Sequence, residues 1–363
     1  MSALTPRPGI MKIAPYVGGE SKIPGVAEPI KLASNEGALG PSPKAMAAYT
    51  ATAKNIFRYP DGASADIRKA LGEYHGLDPA RIVCANGSDE LIALLTRAYA
   101  GPGDEVIYTE HGFAMYPIAT LGVGATPVVA KERNMRTDVD AILKLASPKT
   151  KLVFVANPNN PTGSYIPPEE MERLVKGLPG HALLVLDAAY AEYVTRNDYT
   201  SGVELVDKYP NAVMTRTFSK IYALAGLRLG WAYCTPEVAD VLNRLRGPFN
   251  VTLPAQAAGV AALRDVAHLD ACRTHNDVWL PWFCAQVNKL GLETPPSVGN
   301  FVLVKFPNDD KHNADKANAF LVSRGIILRK VGNYGLPQYL RATIGREDEM
   351  RAVVAALTDF MKS

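Results

Sequence analysis

Short apolar runs alternate with amphipathic stretches between about residues 50 and 250. The apolar runs are rich in β-branched residues, as in "RIVCAN", "TKLVFVAN" and "ALLVLD", which is typical of buried strands. Apolar residues at helical spacing follow in "SDELIALLTRAYA" and "PPEEMERLVKGL". Strands that alternate with helices predict βαβ units and a mainly parallel sheet with helices on both faces. The fold class is therefore α/β.

The pattern changes after residue 250. A long helical stretch precedes the strand-like "GNFVLVKF", a further helical segment, and the strand-like "IILRK" and "YLRATIG". This order predicts a second, smaller α+β domain. We expect residues 1–45 to form an N-terminal arm and part of the small domain, residues 46–250 the large domain, and residues 251–363 the C-terminal small domain.

Composition narrows the class of protein. The chain has 363 residues, of which 47% are hydrophobic, and a net charge of +3, so a large core is expected and no nucleic-acid partner. No apolar run reaches the length of a signal peptide or membrane span, which predicts a cytoplasmic protein without a membrane partner. His268, Cys272 and His275 share a helix face, but without a completing carboxylate we expect helix packing and no metal site.

Polar residues follow the predicted strands directly, where open parallel sheets bind ligands. Ser88 and Asp89 begin a helix, which suits either a phosphate or a simple N-terminal cap. The turn "NPNNPTG", residues 157 to 163, is either a plain loop or a binding ledge. Asp187 closes an apolar run, and burying a carboxylate is costly unless a cation lies next to it. The cation is either a group of a bound ligand or, as the alternative, a side chain of the protein in a structural ion pair.

The stretch "TFSKIYALAGLRLG", residues 217 to 230, places one lysine among hydroxyl groups and an arginine. A lysine in a site of low dielectric beside another cation has a lowered pKa, and its neutral amine can attack a carbonyl. Arg228 could then neutralise a phosphate that the hydroxyl groups also bind. The pattern therefore predicts that Lys220 lies next to a bound aldehyde.

Pyridoxal phosphate fits all of these groups. Its aldehyde matches Lys220, its ring nitrogen Asp187, and Phe113 follows a strand end as a stacking partner. The ring oxygen matches Asn157 and Tyr190. The residues predicted to bind the phosphate are Ser88, Asp89, Thr217, Ser219 and Arg228.

Four segments in order, "NPNNPTG", "DAAY", "TFSKIYALAGLRLG" and "LRATIG", resemble the fold-type I, aspartate-aminotransferase-like enzymes over nearly the whole chain. The resemblance implies a seven-stranded, mainly parallel sheet in the large domain. Within that family, "RYPDG" and "YGLPQYLRATIG" resemble histidinol-phosphate aminotransferases, which use glutamate as amino donor in histidine biosynthesis. An aromatic or broad-specificity aminotransferase is the alternative, because a hydrophobic pocket separates such side chains poorly. A decarboxylase on the same scaffold is conceivable, whereas a regulatory module would need a helix-turn-helix segment that we do not find.

The resemblance also assigns roles to single residues. It makes Lys220 the Schiff-base lysine and proton carrier, with Asp187 and Tyr190 as its catalytic partners. Tyr59 would reach the phosphate of a neighbouring subunit, which implies a homodimer. The residues implied to bind substrate are Tyr16, Asn35, Arg329 and Arg341, with Arg341 as the carboxylate anchor and Tyr16 and Arg329 near the phosphate of histidinol phosphate.

One segment departs from the family pattern. Where relatives commonly read NENPLG, this chain has "NEGALG", so Gly37 and Ala38 replace the usual asparagine and proline. Because the segment lies near the substrate entrance, the change bears on the substrate more than on the cofactor.

Overall fold

The computed structural model describes residues 4–363, which form twelve helices and fourteen strands. The helices are α1 (Pro43–Ala51), α2 (Ala65–His75), α3 (Ser88–Tyr99), α4 (Met115–Gly122), α5 (Val139–Leu145), α6 (Pro168–Gly177), α7 (Val203–Lys208), α8 (Pro236–Leu245), α9 (Leu253–Arg264), α10 (Val266–Lys289), α11 (Ala314–Ser323) and α12 (Glu347–Lys362). The strands are β1 (Ile30–Lys31), β2 (Ile82–Ala85), β3 (Glu105–Thr109), β4 (Thr126–Ala130), β5 (Glu132–Arg133), β6 (Arg136–Thr137), β7 (Thr150–Ala156), β8 (Leu183–Asp187), β9 (Ala212–Thr217), β10 (Gly230–Tyr233), β11 (Phe301–Lys305), β12 (Ile326–Ile327), β13 (Arg329–Lys330) and β14 (Tyr339–Thr343).

Seven strands form the main sheet, in the order β2-β10-β9-β8-β7-β3-β4. All neighbours pair parallel except β10, which is antiparallel to both β2 and β9. Strands β7, β8 and β9 are almost entirely buried, as expected of a parallel sheet that helices cover on both faces. The predicted α/β class with a mainly parallel seven-stranded sheet is confirmed.

The C-terminal part of the chain builds a second, smaller unit. Strands β11, β14 and β13 form an antiparallel sheet, and α10, α11 and α12 pack against it through a separate apolar core. The N-terminal strand β1 joins this unit by pairing parallel to β12. The N-terminal segment therefore crosses from the small unit to α1, and the two units meet beside it.

Helix α9 and the beginning of α10 join the larger core, although the predicted domain boundary at residues 250 and 251 would assign them to the small domain. The apolar face of α9 packs against α1 and α2 in the larger core, and so does the beginning of α10 through Leu269 and Cys272. Further along α10, Phe283 and Val287 belong to the smaller core. We therefore propose that the boundary between the two units lies within α10.

The carboxyl ends of the parallel strands meet at one edge of the main sheet. Strand β8 ends at Asp187, β9 ends at Thr217, and β2 leads through a short turn into α3 at Ser88. The first residues after these strands face the small unit, and that edge is where the cavity described below lies. Within residues 4–363, no helix is both long and apolar enough to cross a membrane.

Candidate active site

A cavity of about 200 Å³ lies between the strand ends of the main sheet and the small unit. It collects residues from distant parts of the sequence, from Tyr16 to Arg341. All of the predicted site residues line it except Asn157 and Tyr59. The predicted residues in its wall are Tyr16, Asn35, Ser88, Asp89, Phe113, Asp187, Tyr190, Thr217, Ser219, Lys220, Arg228, Arg329 and Arg341.

Lys220 follows β9 in a tight turn, and its side chain points into the cavity. The ammonium Nζ donates a hydrogen bond to the carbonyl of Ser34 at 3.2 Å and lies 5.5 Å from the centre of the Tyr190 ring. Burial, and then the charge of Arg341, lowers the pKa of Lys220 to about 8. A substantial share of this amine is therefore neutral near pH 8, as a nucleophilic or proton-carrying lysine requires.

Asp187 is a buried carboxylate at the end of β8. Its Oδ2 accepts a hydrogen bond from the hydroxyl of Tyr116 at 2.8 Å, and its Oδ1 accepts one from the N–H of Ala189 at 3.2 Å. Burial raises the pKa of Asp187 to about 6 despite these two donors. Within residues 4–363 no lysine or arginine forms an ion pair with it, so the alternative of a structural ion pair does not describe this aspartate.

A polar cup lies between the start of α3 and the end of β9. Arg228 reaches across it, donating to the Ser219 hydroxyl at 3.3 Å and pairing with the Asp89 carboxylate at 2.9 Å. The hydroxyl of Thr217 lies 3.0 Å from that of Ser219. The N-terminus of α3 adds backbone N–H groups and the positive end of the helix dipole.

Two glycines keep this cup open. Gly87, which precedes α3, has a φ of 82°, and a Cβ there would lie 2.4 Å from Nη2 of Arg228. A Cβ on Gly230 would lie 2.4 Å from the backbone nitrogen of Ser88. Side chains at either place would push apart the arginine and the helix start, so the close approach explains both glycines.

Two arginines from the small unit close the opposite side of the cavity. Arg341, on β14, is buried; it donates to the carbonyl of Ala33 at 2.7 Å and to the side-chain oxygen of Asn160. Its Nε has no hydrogen-bond partner within the described residues 4–363. Arg329, on β13, donates to the carbonyls of Val17 and Gly18 at 2.8 and 2.6 Å. An orphaned buried donor on Arg341 leaves this side ready for an anionic ligand.

A short hydrogen-bond chain joins Tyr190 to the small unit. The amide nitrogen of Asn35 donates to the Tyr190 hydroxyl at 2.8 Å, and the amide oxygen accepts from the hydroxyl of Thr343 at 3.1 Å. Burial raises the pKa of Tyr190 to about 12, so its hydroxyl stays protonated and can itself donate. The amide nitrogen of Asn35 therefore holds Tyr190, while its amide oxygen is held by Thr343.

Two predicted residues lie elsewhere. The amide of Asn157 is buried outside the cavity wall and bonds in both directions with the backbone of Ile166, at 2.9 and 3.2 Å. Asn160, three residues further on, takes the place in the wall that the prediction gave to Asn157. Tyr59 is 82% exposed and stacks on Phe249 with ring centres 4.7 Å apart, away from the cavity of its own chain.

The structure also brings in residues that the sequence reasoning missed. Tyr116 holds Asp187 through a hydrogen bond, and Tyr334 lines the cavity together with Arg329 and Arg341. Tyr116 stands in the same "HGFAMY" segment as Phe113, at the start of α4. Helical spacing would have placed it close to Phe113, but its partner Asp187 lies 71 residues away in the sequence. Such long-range pairs carry no local signal.

The three candidate metal ligands are accounted for by packing. The rings of His268 and His275 bond to the carbonyls of Gly40 and Gly345, at 3.1 and 2.9 Å, and Cys272 is buried in the larger core. No group of three or more histidine, cysteine or acidic side chains that could hold a metal occurs within residues 4–363.

Comparison with known proteins agrees with the fold and with the site. The chain is 58% identical over 361 residues to a histidinol-phosphate aminotransferase of Paramagnetospirillum magneticum, with 99% of each chain covered. It is 57% identical over 362 residues to a protein of the same name from Rhodospirillum centenum, with both chains covered in full.

A solved structure also resembles the chain in its fold. The histidinol-phosphate aminotransferase of Sinorhizobium meliloti, in complex with pyridoxal-5'-phosphate, is 29% identical, superposes with a TM-score of 0.89, and covers 100% of this chain and 98% of its own. The family model for aminotransferase class I and II matches residues 27–357. The chain therefore belongs to the class I and II aminotransferase family.

Proposed function

We propose that this protein is a pyridoxal-phosphate-dependent aminotransferase that interconverts histidinol phosphate and 2-oxoglutarate with imidazole acetol phosphate and glutamate. The observation that carries the proposal is Asp187, a buried carboxylate that pairs with no lysine or arginine among residues 4–363, in the wall of the same cavity as Lys220. The close relatives of that name support the choice of substrate.

The residues present fit the cofactor. The buried carboxylate of Asp187 has no counterion within residues 4–363, which suits a protonated ring nitrogen, and its two hydrogen-bond donors fix the orientation of the carboxylate. The cup at the start of α3 suits a phosphate, with Arg228 as its cation. Phe113 lines the same cavity and offers a flat apolar face to a ring. Asn160 and Tyr190 line the same cavity and would donate hydrogen bonds to a ring oxygen.

When bound, pyridoxal phosphate supplies an electron-accepting ring that makes the α-carbon proton of an amino acid removable. The protein contributes binding, orientation and proton transfer. Lys220 would hold the cofactor through its aldehyde, and as a neutral amine it would move the proton at the substrate α-carbon. The lowered pKa of Lys220 suits this task near neutral pH. Tyr190, which Asn35 holds in place, orients the ring oxygen.

The side of the cavity formed by Arg329 and Arg341 supports a substrate with an anionic group. The unpartnered Nε of Arg341 can donate to a carboxylate, and its place beside Asn160 fixes the plane of the guanidinium. Arg329 uses two of its donors on the N-terminal segment and retains others for a phosphate ester. One of the two amino donors carries a carboxylate and the other a phosphate, so two arginines serve both.

The test is a substrate panel with the purified holoenzyme. Rates on histidinol phosphate, phenylalanine, tyrosine and phosphothreonine are compared, each with 2-oxoglutarate as acceptor. We expect kcat/KM to be highest for histidinol phosphate. A preference for phenylalanine or tyrosine would replace the proposal by an aromatic aminotransferase, which the aromatic rings of Tyr16 and Tyr334 in the cavity wall also accommodate. Carbon dioxide release from phosphothreonine would indicate a decarboxylase.

We also propose a homodimer in which Tyr59 of each chain completes the site of the other. An exposed apolar stretch supports it: Ile56, Phe57 and Tyr59 are 71%, 73% and 82% exposed, and Tyr59 stacks on Phe249, which is itself 43% exposed.

Subunit mixing tests the dimer. Lys220→Ala and Tyr59→Ala are each expected to impair the site, whereas a mixed dimer holds one site with both native residues. Activity that appears on mixing the two variants supports the proposal, with each variant mixed with itself as the control. A monomer by sedimentation, or no gain on mixing under conditions of verified subunit exchange, contradicts it.

A further inference from the structure

We propose that Tyr116 is a positioning residue that holds the Asp187 carboxylate in place and braces the ring of Phe113, so that one side chain supports two contacts to the cofactor. The inference rests on the proposed cofactor, and it concerns residues that no comparison assigns a role.

The first step is the hydrogen bond to Asp187. Tyr116 lies in the first turn of α4 and is 1% exposed, and its hydroxyl donates to Oδ2 at 2.8 Å. The N–H of Ala189 donates to Oδ1 at 3.2 Å. Each carboxylate oxygen therefore receives one donor from the protein, which fixes the orientation of the group and leaves further acceptor capacity on both oxygens for a ligand in the cavity.

The second step is the packing of the Tyr116 ring. It stacks on Phe154 of β7 with ring centres 4.8 Å apart and planes 6° from parallel. It meets Phe113 edge to face, with ring centres 5.9 Å apart and an angle of 89°. Such contacts favour a single orientation of each ring. The position of the hydroxyl is thus set by the main sheet, and the position of Phe113 is set in turn by Tyr116.

The third step is electrostatic. Among the interactions that oppose the effect of burial on the pKa of Asp187, the Tyr116 hydrogen bond is the largest. Burial and the neighbouring carboxylate raise the pKa of Tyr116 well above its ordinary value, so the phenol remains a neutral donor. A neutral donor favours the ionised carboxylate without competing, as a cation would, for the place of the cofactor's ring nitrogen.

The experiment is Tyr116→Phe, which keeps the ring and removes only the hydroxyl. Pyridoxal phosphate is titrated into the apoprotein, with its dissociation constant and the pH titration of the bound cofactor's absorbance as readouts. Because hydrogen bonds to charged groups are the strong ones, we expect binding to weaken by roughly tenfold or more. Tyr108→Phe is the matched control: its ring centre lies 6.4 Å from that of Tyr116, it does not line the cavity, and we expect less than a twofold change.

A double-mutant cycle with Asp187→Asn separates positioning from general packing. If Tyr116 acts through Asp187, Tyr116→Phe changes cofactor binding by less than about twofold once Asp187 is already Asn, because the shared interaction is gone. An equal loss in both backgrounds, or no loss in either, overturns the proposal. Thermal unfolding of each apoprotein checks that the variants fold. No substrate enters these measurements, so a wrong substrate assignment leaves them unchanged, and a wrong cofactor shows itself as wild-type protein that does not bind.

Discussion

The two sides of the cavity are built differently. The side that we propose holds the cofactor takes its groups from the ends of neighbouring strands, with Asp187 on β8 and Thr217 on β9, and these strands are buried along their whole length. The side that we propose binds substrate takes its groups from segments far apart in the chain, and Tyr16, for example, is 50% exposed. Arg329 is held there by backbone carbonyls of the N-terminal segment rather than by side chains.

This difference indicates which side tolerates change. A group on a buried strand end is fixed by the whole sheet, so substitutions act directly on the chemistry and little else can compensate. A group held by one exposed segment can be reoriented, so substitutions there change which substrate is preferred. The predictions below test this distinction, from the largest expected effect to the smallest.

Lys220→Ala is expected to have the largest effect and to strike every substrate alike. Without the amine, proton transfer at the α-carbon loses its carrier, and kcat should fall by at least about a thousandfold for both glutamate and histidinol phosphate. Visible absorbance of the lysine-bound cofactor should disappear while far-ultraviolet circular dichroism stays native. Near-native turnover by this variant would remove Lys220 from the mechanism.

Arg329→Ala should instead separate substrates. We expect kcat/KM for histidinol phosphate to fall roughly 30-fold, since a charged hydrogen bond to the phosphate is lost, with a much smaller change for phenylalanine. Lys330→Ala is the control, because it removes the positive charge of the next residue. The ammonium of Lys330 pairs with Asp315 at 2.5 Å rather than lining the cavity. Equal losses on both substrates would show that Arg329 acts through the N-terminal segment alone.

Cofactor binding should depend on pH through Asp187. Its pKa in the apoprotein is raised to about 6, and the ring nitrogen of the cofactor needs the ionised carboxylate. As pH falls through 6 the carboxylate takes up a proton, so affinity should drop, by about tenfold at pH 5 relative to pH 7. The cofactor phosphate also titrates near this range, so Asp187→Asn is the comparison. An identical pH profile in that variant would assign the effect to the cofactor alone.

The same raised pKa has a consequence for the stability of the apoprotein. A carboxyl group with a higher pKa in the folded state favours folding in its protonated form. Its contribution is complete below the unfolded pKa near 4 and is lost as pH rises through about 6. Bound cofactor should remove this loss, and thermal unfolding of apo- and holoprotein at pH 5 and pH 7 measures it.

Gly37→Ala should have the smallest effect and probes the boundary between the two sides. A Cβ at Gly37 would lie 2.8 Å from Cβ of Ala223 and 3.0 Å from the carbonyl oxygen of Lys220. The turn that carries the lysine must then shift, and we expect kcat to fall a few-fold. Gly226→Ala is the control, because Gly226 lies in the short 3-10 helix that follows Lys220 and its added Cβ would meet no atom of residues 4–363 within 4 Å. No change in kcat would show that this turn adjusts freely.

Residues that stand directly after strands were the easiest to place from the sequence, for a physical reason. Groups such as Asp187 and Lys220 stand directly after apolar runs, and parallel topology alone brings strand ends together. The loop "NPNNPTG" was harder, because it holds three asparagines and only its three-dimensional path decides that Asn160 rather than Asn157 faces the cavity. The hydrogen bond from Tyr116 to Asp187 joins a helix and a strand that are far apart in the sequence, so no local sequence pattern predicts it.

The domain boundary shows the same limit. Apolar periodicity predicted the helices after residue 250. It does not determine which core a helix will join, and α9 packs its apolar face against the larger core. The homodimer and the role of Tyr59 stay predictions, since they depend on a surface that a single chain leaves open.

Helix α10 mechanically couples the two units. One continuous rod of 24 residues is anchored in the larger core at Leu269 and in the smaller core at Phe283 and Val287. Pro281 stands within it and lacks the N–H that would complete the helical ladder, so bending is easiest there. A movement of the small unit relative to the larger core would therefore bend α10 between these two anchor points, most easily near Pro281.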